Sequence, residues 1–136
     1  MFRYQRRVQF AETDAAGMVH FSQFFRYMEE AEHAAWRAAG MSIHVADALL
    51  KWPRVSANFD FKTPLRFEDE FEVRVTMAAA SARTIRWAHE IVRGTEQIGT
   101  GSVTAACVGR DVNGVMTAVE IPADVLQRLR AVLQAP

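Results

Sequence analysis

What this 136-residue sequence lacks narrows its possibilities first. It has one cysteine, Cys107, so no intrachain disulfide framework can form. Set in an apolar, strand-like run, that cysteine reads as a small buried hydrophobe and not as a nucleophile. No apolar run is long enough to cross a bilayer. The basic start, Met1 to Arg7, is followed by no apolar segment of the kind a secretion signal carries. A cytoplasmic protein with no membrane partner is the expectation. Neither sign of charge is in excess: sixteen Lys and Arg stand against sixteen Asp and Glu. That balance argues against nucleic acid as a partner and leaves room only for a local basic patch. No repeat, low-complexity tract or flexible linker divides the chain, so a single domain over residues 1–136 is expected. The histidines His44 and His89 have no metal-ligand spacing with each other or with the cysteine, and no metal is expected.

What is present is a rich supply of core residues, half of the chain being hydrophobic with nine Phe and three Trp, laid out with legible periodicity. Residues 2–10 alternate, Phe2, Tyr4, Val8 and Phe10 against Arg3, Gln5, Arg7 and Gln9, with Arg6 interrupting the apolar side; this is a half-buried or edge strand. Ser22 to Ala39 reads as the main helix, ended by Gly40 where a left-handed cap is wanted. Its apolar stripe is Phe24, Met28, Ala31, Ala35 and Ala38; its polar stripe is Arg26, Glu29, Glu30, His33 and Arg37. The small residues of the first stripe suit a helix lying close inside a curved sheet. A short helical segment is expected around Ser42–Leu50. Extended segments follow from Val55 to Phe61, from Phe71 to Met77, around Ile85, Trp87 and Ile91 with His89 in the same register, and over 98–108. Asn113-Gly114 signals a turn before Val115–Val119. Pro122 and Asp124 open a terminal amphipathic helix bearing Val125, Leu126, Leu129, Val132 and Leu133. One early helix followed by a run of strands is an α+β arrangement.

The stretch from Glu12 to Phe24 carries the chemistry. It places a carboxylate, Asp14, on a loop, a glycine three residues on, and then the start of the long helix. The first N–H groups of a helix lack intrahelical partners and carry partial positive charge, so they can hold a developing oxyanion. Gly17 lets the backbone approach a ligand, and Asp14 would serve as nucleophile or as the base that activates water. Spacing alone is met more readily by a capping Asp and a turn Gly.

The segment Val8–Glu32, with Glu12-Thr-Asp14-Ala-Ala-Gly17-Met-Val-His20-Phe21 at its centre, resembles the 4-hydroxybenzoyl-CoA thioesterase family. The stretch Phe59 to Val73 resembles that family's second strand, turn and third strand, and Ile121-Pro122 before a helix fits as well. The resemblance implies a hotdog fold: a long central helix wrapped by a curved antiparallel sheet of about five to six strands. It implies an acyl-CoA thioesterase, acting on an acyl-CoA substrate with no cofactor beyond the CoA of that substrate. Homodimers or homotetramers with sites at the dimer interface are also implied. The family's catalytic Asp falls on Asp14, its loop glycine on Gly17, and the amide that polarises the thioester carbonyl on Phe21. His20, Met18 and Phe24 are the candidates for substrate contact; His20 stands where many relatives carry Tyr or Trp, and Gln23 where many carry Asn.

Other residues weigh less. Glu29 and Glu30 are expected to pair with His33 or Arg26 on the helix surface, and Glu32 is the second-choice carboxylate. Arg54, Lys62, Arg83, Arg86 and Arg110 are candidates for the CoA phosphates. Acyl carrier protein thioesters are an alternative substrate. A hydratase of the same fold would need a His and acid pair in a different motif, and a non-catalytic acyl-CoA-binding module would not need Asp14.

Overall fold

The computed structural model describes residues 1–44 and 49–134. Its elements run β1 (Phe2–Arg7), a 3-10 turn (Phe10–Glu12), α1 (Gln23–Ala38), β2 (Arg54–Phe61), β3 (Glu70–Ala80), β4 (Thr84–Arg93), β5 (Glu96–Ala106), β6 (Val108–Arg110), β7 (Met116–Ala118) and α2 (Ala123–Leu133). Five strands form one antiparallel sheet in the order β1-β3-β4-β5-β2, while β6 and β7 pair as a separate hairpin. This is the expected hotdog arrangement of a long helix wrapped by sheet. The short helical segment expected around Ser42–Leu50 falls across residues outside the description, and Ser42–His44 and Leu49–Leu50 are irregular.

Alternation decides which sheet face is buried. Phe71, Val73 and Val75 of β3 and Ile85, Trp87, His89 and Ile91 of β4 turn inward, toward Phe24, Tyr27, Met28, Ala31, Ala35 and Trp36 of α1. The helix stripe is therefore broader than its alanines suggest: Tyr27 and Trp36 are buried, and Ala38, expected on the apolar side, is exposed. At about 100° per residue Ala38 still points within about 20° of Ala31, so its exposure comes from its place in the last turn of α1 and not from its face. α1 ends in a Schellman cap, with Met41 N donating to Trp36 O at 3.0 Å, Gly40 N to Arg37 O at 2.9 Å, and Gly40 at φ +76°.

Two further expectations are corrected. β1 stops at Arg7, and the backbone turns into the 3-10 segment, leaving Phe10 74% exposed against Phe67 instead of buried. The expected long strand over 98–108 breaks at Cys107, whose N–H goes to Arg83 O while its carbonyl accepts from Val119. Asn113-Gly114 makes the expected turn, organised by Asp111, whose Oδ1 accepts from Asn113 N and Val115 N. In α2 it is Leu129 and Leu133 that are buried. No helix of the described residues is long and apolar enough to cross a membrane.

Candidate active site

The loop between the 3-10 turn and α1 is a small closed ring. Thr13 and Val19 form an antiparallel bridge, Asp14 N donates to Met18 O at 2.7 Å, and His20 N donates to Glu12 O at 2.9 Å. At its tip, Gly17 N donates to Asp14 O at 3.0 Å. Gly17 holds φ +77°, a conformation that side chains other than glycine rarely adopt. Asp14, half-buried, accepts at one oxygen only: Ala16 N at 2.9 Å and Met18 N at 3.2 Å both reach Oδ1. Among the described residues Oδ2 has no hydrogen-bond partner. The turn role and the reactive role are thus compatible, each with its own oxygen.

α1 begins at Gln23, so Phe21 lies two residues before the helix and not in its first turn. Gln23 N donates to His20 O, Phe24 N to Phe21 O, and Ser22 N to His20 Nδ1 at 3.3 Å. The Phe21 N–H donates to no group of the described residues. An amide left over just ahead of a helix, where the macrodipole adds positive potential, suits a developing negative oxygen. His20 is exposed, stacks on the Phe21 ring with centroids 4.5 Å apart, and shares Nδ1 with Ser22 Oγ at 2.7 Å. With Nδ1 accepting from the Ser22 amide, a neutral ring carries its proton on Nε2, facing away from Ser22.

Beside this loop lies a cavity of about 250 Å³, lined by Met18, Val19, Phe21, Phe24, Phe61, Lys62, Thr63 and Pro64. Phe21, Phe24 and Phe61 form its aromatic wall, with Phe24 edge-on to Phe61 at 5.3 Å and stacked at 4.9 Å on Phe59, which lies outside the lining. The structure therefore brings together Met18, Phe21 and Phe24 around one space. His20 and Gly17 stand beside it on the loop. Asp14 is joined to the lining through Met18 and does not itself line the cavity. A larger depression, about 650 Å³ between Leu49–Lys51 and the β6–β7 hairpin, includes none of these residues.

Of the five basic candidates, Lys62 borders the cavity, its Nζ donating to Gln97 Oε1. Arg54 instead turns inward: its Nη1 lies 3.1 Å from Glu32 Oε2, a charge contact without hydrogen-bond alignment. Glu32 is buried, takes a 3.2 Å bond from Trp36 Nε1, and has its pKa raised by burial against the opposing Arg54 charge. It lies about 13 Å along the helix axis from Gln23, at about 1.5 Å per residue, so it belongs to a different region of the core from the Asp14 loop.

Sequence reasoning missed the group that supports the loop. Arg6, on the inward side of β1, reaches Glu12 Oε1 at 3.1 Å and Oε2 at 2.5 Å, and Glu30 Oε1 at 3.1 Å. Tyr27 Oη donates to Glu12 Oε1 at 2.9 Å. Burial would raise the Glu12 pKa, but the donors from Arg6, Gln9 N and Tyr27 outweigh it and hold the carboxyl below its ordinary value. Glu30 thus pairs with β1 and not with His33 or Arg26. The signal was the charge that interrupts an apolar strand face: an inward Arg implies an inward acid.

A sheet-wrapped helix with a carboxylate loop at its entry defines a thioesterase-like protein of the hotdog class. The chain belongs to the thioesterase-like superfamily, whose family model matches residues 8–129, and the resemblance seen in the sequence is borne out at that level. It is similar to the crystal structure of a hypothetical protein from Aquifex aeolicus, with 34% identity, a TM-score of 0.86, and 95% of this chain and 99% of that one covered. It is 36% identical over 94 residues to a 1,4-dihydroxy-2-naphthoyl-CoA hydrolase from Synechocystis, covering 66% of this chain and 67% of the relative. The crystal structure of a 1,4-dihydroxy-2-naphthoyl-CoA thioesterase from Synechocystis matches with 25% identity, a TM-score of 0.86, and coverage of 99% and 98%.

Proposed function

We propose that the protein hydrolyses an acyl-CoA thioester to a carboxylic acid and free CoA, with Asp14 as the reacting carboxylate. One observation carries this: a single loop holds a carboxylate with an unpartnered Oδ2 and an amide, Phe21 N–H, with no acceptor among the described residues. The thioester carbonyl oxygen accepts from Phe21 N–H, and the start of α1 adds potential that favours the tetrahedral oxyanion. Asp14 then acts in one of two ways. As nucleophile, Oδ2 bonds to the carbonyl carbon, the C–S bond breaks, and CoA leaves as a thiolate that takes a proton from solvent; water then opens the resulting anhydride. As general base, Oδ2 takes the proton of a water that attacks the same carbon. Labelled oxygen from water entering Asp14 in a single turnover identifies the first route with water attacking the Asp14 carbonyl carbon, and capture of the anhydride by hydroxylamine identifies that route when water attacks the acyl carbon instead.

The aromatic wall of Phe21, Phe24 and Phe61 favours an aromatic acyl group, in keeping with the naphthoyl group named for the relatives. The same relatives favour CoA over a carrier protein as the thiol. Because Asp14 is joined to the cavity lining without itself bordering the cavity, a homodimer or homotetramer in which a second copy completes the site agrees with this reading. The test is release of CoA thiol from aromatic and aliphatic acyl-CoAs by wild type and Asp14→Asn. Turnover with a loss of about 100-fold or more in the variant is expected, on the scale of removing an essential base or nucleophile. A fully active Asp14→Asn, or no turnover of any acyl-CoA, would overturn the proposal, and activity on carrier-protein thioesters alone would move it to that substrate.

A further inference from the structure

We propose that Glu12 is the positioning residue of this site, fixing the spacing between the Asp14 carboxylate and the Phe21 amide by holding both ends of the loop that carries them. The inference rests on the roles assigned above to Asp14 and Phe21.

Glu12 works through its side chain and its backbone separately. Its buried carboxylate accepts from Arg6 Nη1 at 3.1 Å, Arg6 Nη2 at 2.5 Å, Gln9 N at 2.8 Å and Tyr27 Oη at 2.9 Å. Those donors come from β1, from the 3-10 turn and from α1, so the residue is fixed to the sheet and to the helix together. Its backbone oxygen meanwhile accepts from His20 N at 2.9 Å. Asp14 is two residues after Glu12, and Phe21 directly follows His20. The outgoing and returning arms of the loop therefore both hang from one residue, and the Thr13–Val19 bridge and the Asp14 N to Met18 O bond propagate that anchoring toward the tip. The helix that supplies Tyr27 is also the one whose start follows Phe21. A shift of Glu12 would alter the distance between the two reacting groups without touching the cavity wall, because Glu12 does not line it.

The surroundings define the informative variant. Arg6 reaches both Glu12 oxygens and can only donate, so Glu12→Gln keeps the volume but directs an amide NH2 at another donor whichever way it is turned. Arg6 still has Glu30 at 3.1 Å, so its charge stays paired and the fold is kept. With the best acyl-CoA, kcat of Glu12→Gln is expected to fall about 10- to 100-fold while KM stays within about threefold, the pattern of misplaced reacting groups with intact substrate binding. Tyr27→Phe removes one donor and leaves the ion pair, and its kcat should fall less. A second readout needs no substrate: hydrogen exchange at the Met18 and His20 amides should quicken in Glu12→Gln while amides of β3 and β4 keep their protection. A kcat within about twofold of wild type overturns the proposal whatever the exchange shows, as does a loss of activity that only follows the loss of folded protein. Unchanged loop exchange in Glu12→Gln overturns the anchoring itself. Full turnover by Asp14→Asn is the separate result that would overturn the Asp14 assignment.

Discussion

Two glycines show how differently one residue type can be required. Gly17 sits at φ +77° with nothing within 4 Å of where a Cβ would stand. Gly101 lies in β5 at an ordinary strand conformation, but a Cβ there would stand 2.6 Å from Asn58 O and 2.8 Å from both Met28 Sδ and the Phe59 ring. Gly17→Ala therefore carries only the left-handed backbone penalty, about 1 kcal/mol, and strains the loop that holds Asp14. Gly101→Ala must push β2 and β5 apart and lift α1, and should lower stability by about 3 kcal/mol, the upper end of ordinary overpacking. Urea unfolding checks both, and kcat should drop in folded Gly17→Ala more than its small stability loss implies. Gly17 was legible in the sequence because a turn is local. Gly101 was not, since the pressure on it comes from β2 and α1, some forty and seventy residues earlier in the chain. The same divide separates Asp14, Gly17 and Phe21, which stand together in one segment, from the Arg6–Glu12–Tyr27 support, which only the pairing of β1 and α1 assembles.

At the scale of elements, periodicity gave α1 and the inward faces of β3 and β4, because burial on one side imposes the period directly. It put His89 on the inward side of β4, but not beside Arg54, which arrives on a strand from elsewhere in the sequence. Among the described residues neither His89 ring nitrogen is in hydrogen-bond geometry with a neighbour. Burial first, and the nearby Arg54 charge second, push its pKa down from 6.5 to about 4, against a small opposing contribution from the Met28 backbone. The unfolded chain thus takes up a proton below pH 6.5 that the folded chain refuses. Stability is lost as pH falls from 6.5 toward 4, by about 3 kcal/mol in all. Glu32, its pKa raised, acts in the opposite direction within the same acidic range, because it gains its proton more readily when folded. The difference between wild type and His89→Leu isolates the histidine. Denaturant unfolding from pH 7.5 to 4.5 should show a markedly flatter profile for the variant. At pH 7.5 the variant should be no less stable, since two unpartnered buried nitrogens have gone. Equal slopes in the two proteins would mean that His89 is protonated in the folded state.

At the scale of the whole molecule, the five-stranded sheet ends on one side at β2, and that edge is unlike a protected one. β2 runs eight residues, roughly 26 Å at about 3.3 Å per residue, and only Phe59 of its side chains is buried. Val55 and Phe61 are 62% and 53% exposed, and the strand's outer backbone groups face no other strand of the sheet. Edges left in this state invite pairing with another strand, and Phe61 belongs at once to this edge and to the cavity wall. A second copy paired along β2 would cover the edge and bring its own residues to the mouth of the cavity, near the loop of Asp14. Sedimentation equilibrium at micromolar concentration should then give a mass of at least twice 15.3 kDa. Val55→Lys sets a charge in that seam, outside the cavity lining. It should return the mass toward 15.3 kDa and reduce thioester turnover in step with the loss of the larger species, while its far-ultraviolet circular dichroism stays that of the folded protein and its urea midpoint loses the concentration dependence of an associating wild type. A wild-type monomer with full turnover would instead place every group the reaction needs within one chain, and the cavity bordered by Phe21, Phe24 and Phe61 would then have to admit the thioester to Asp14 unaided.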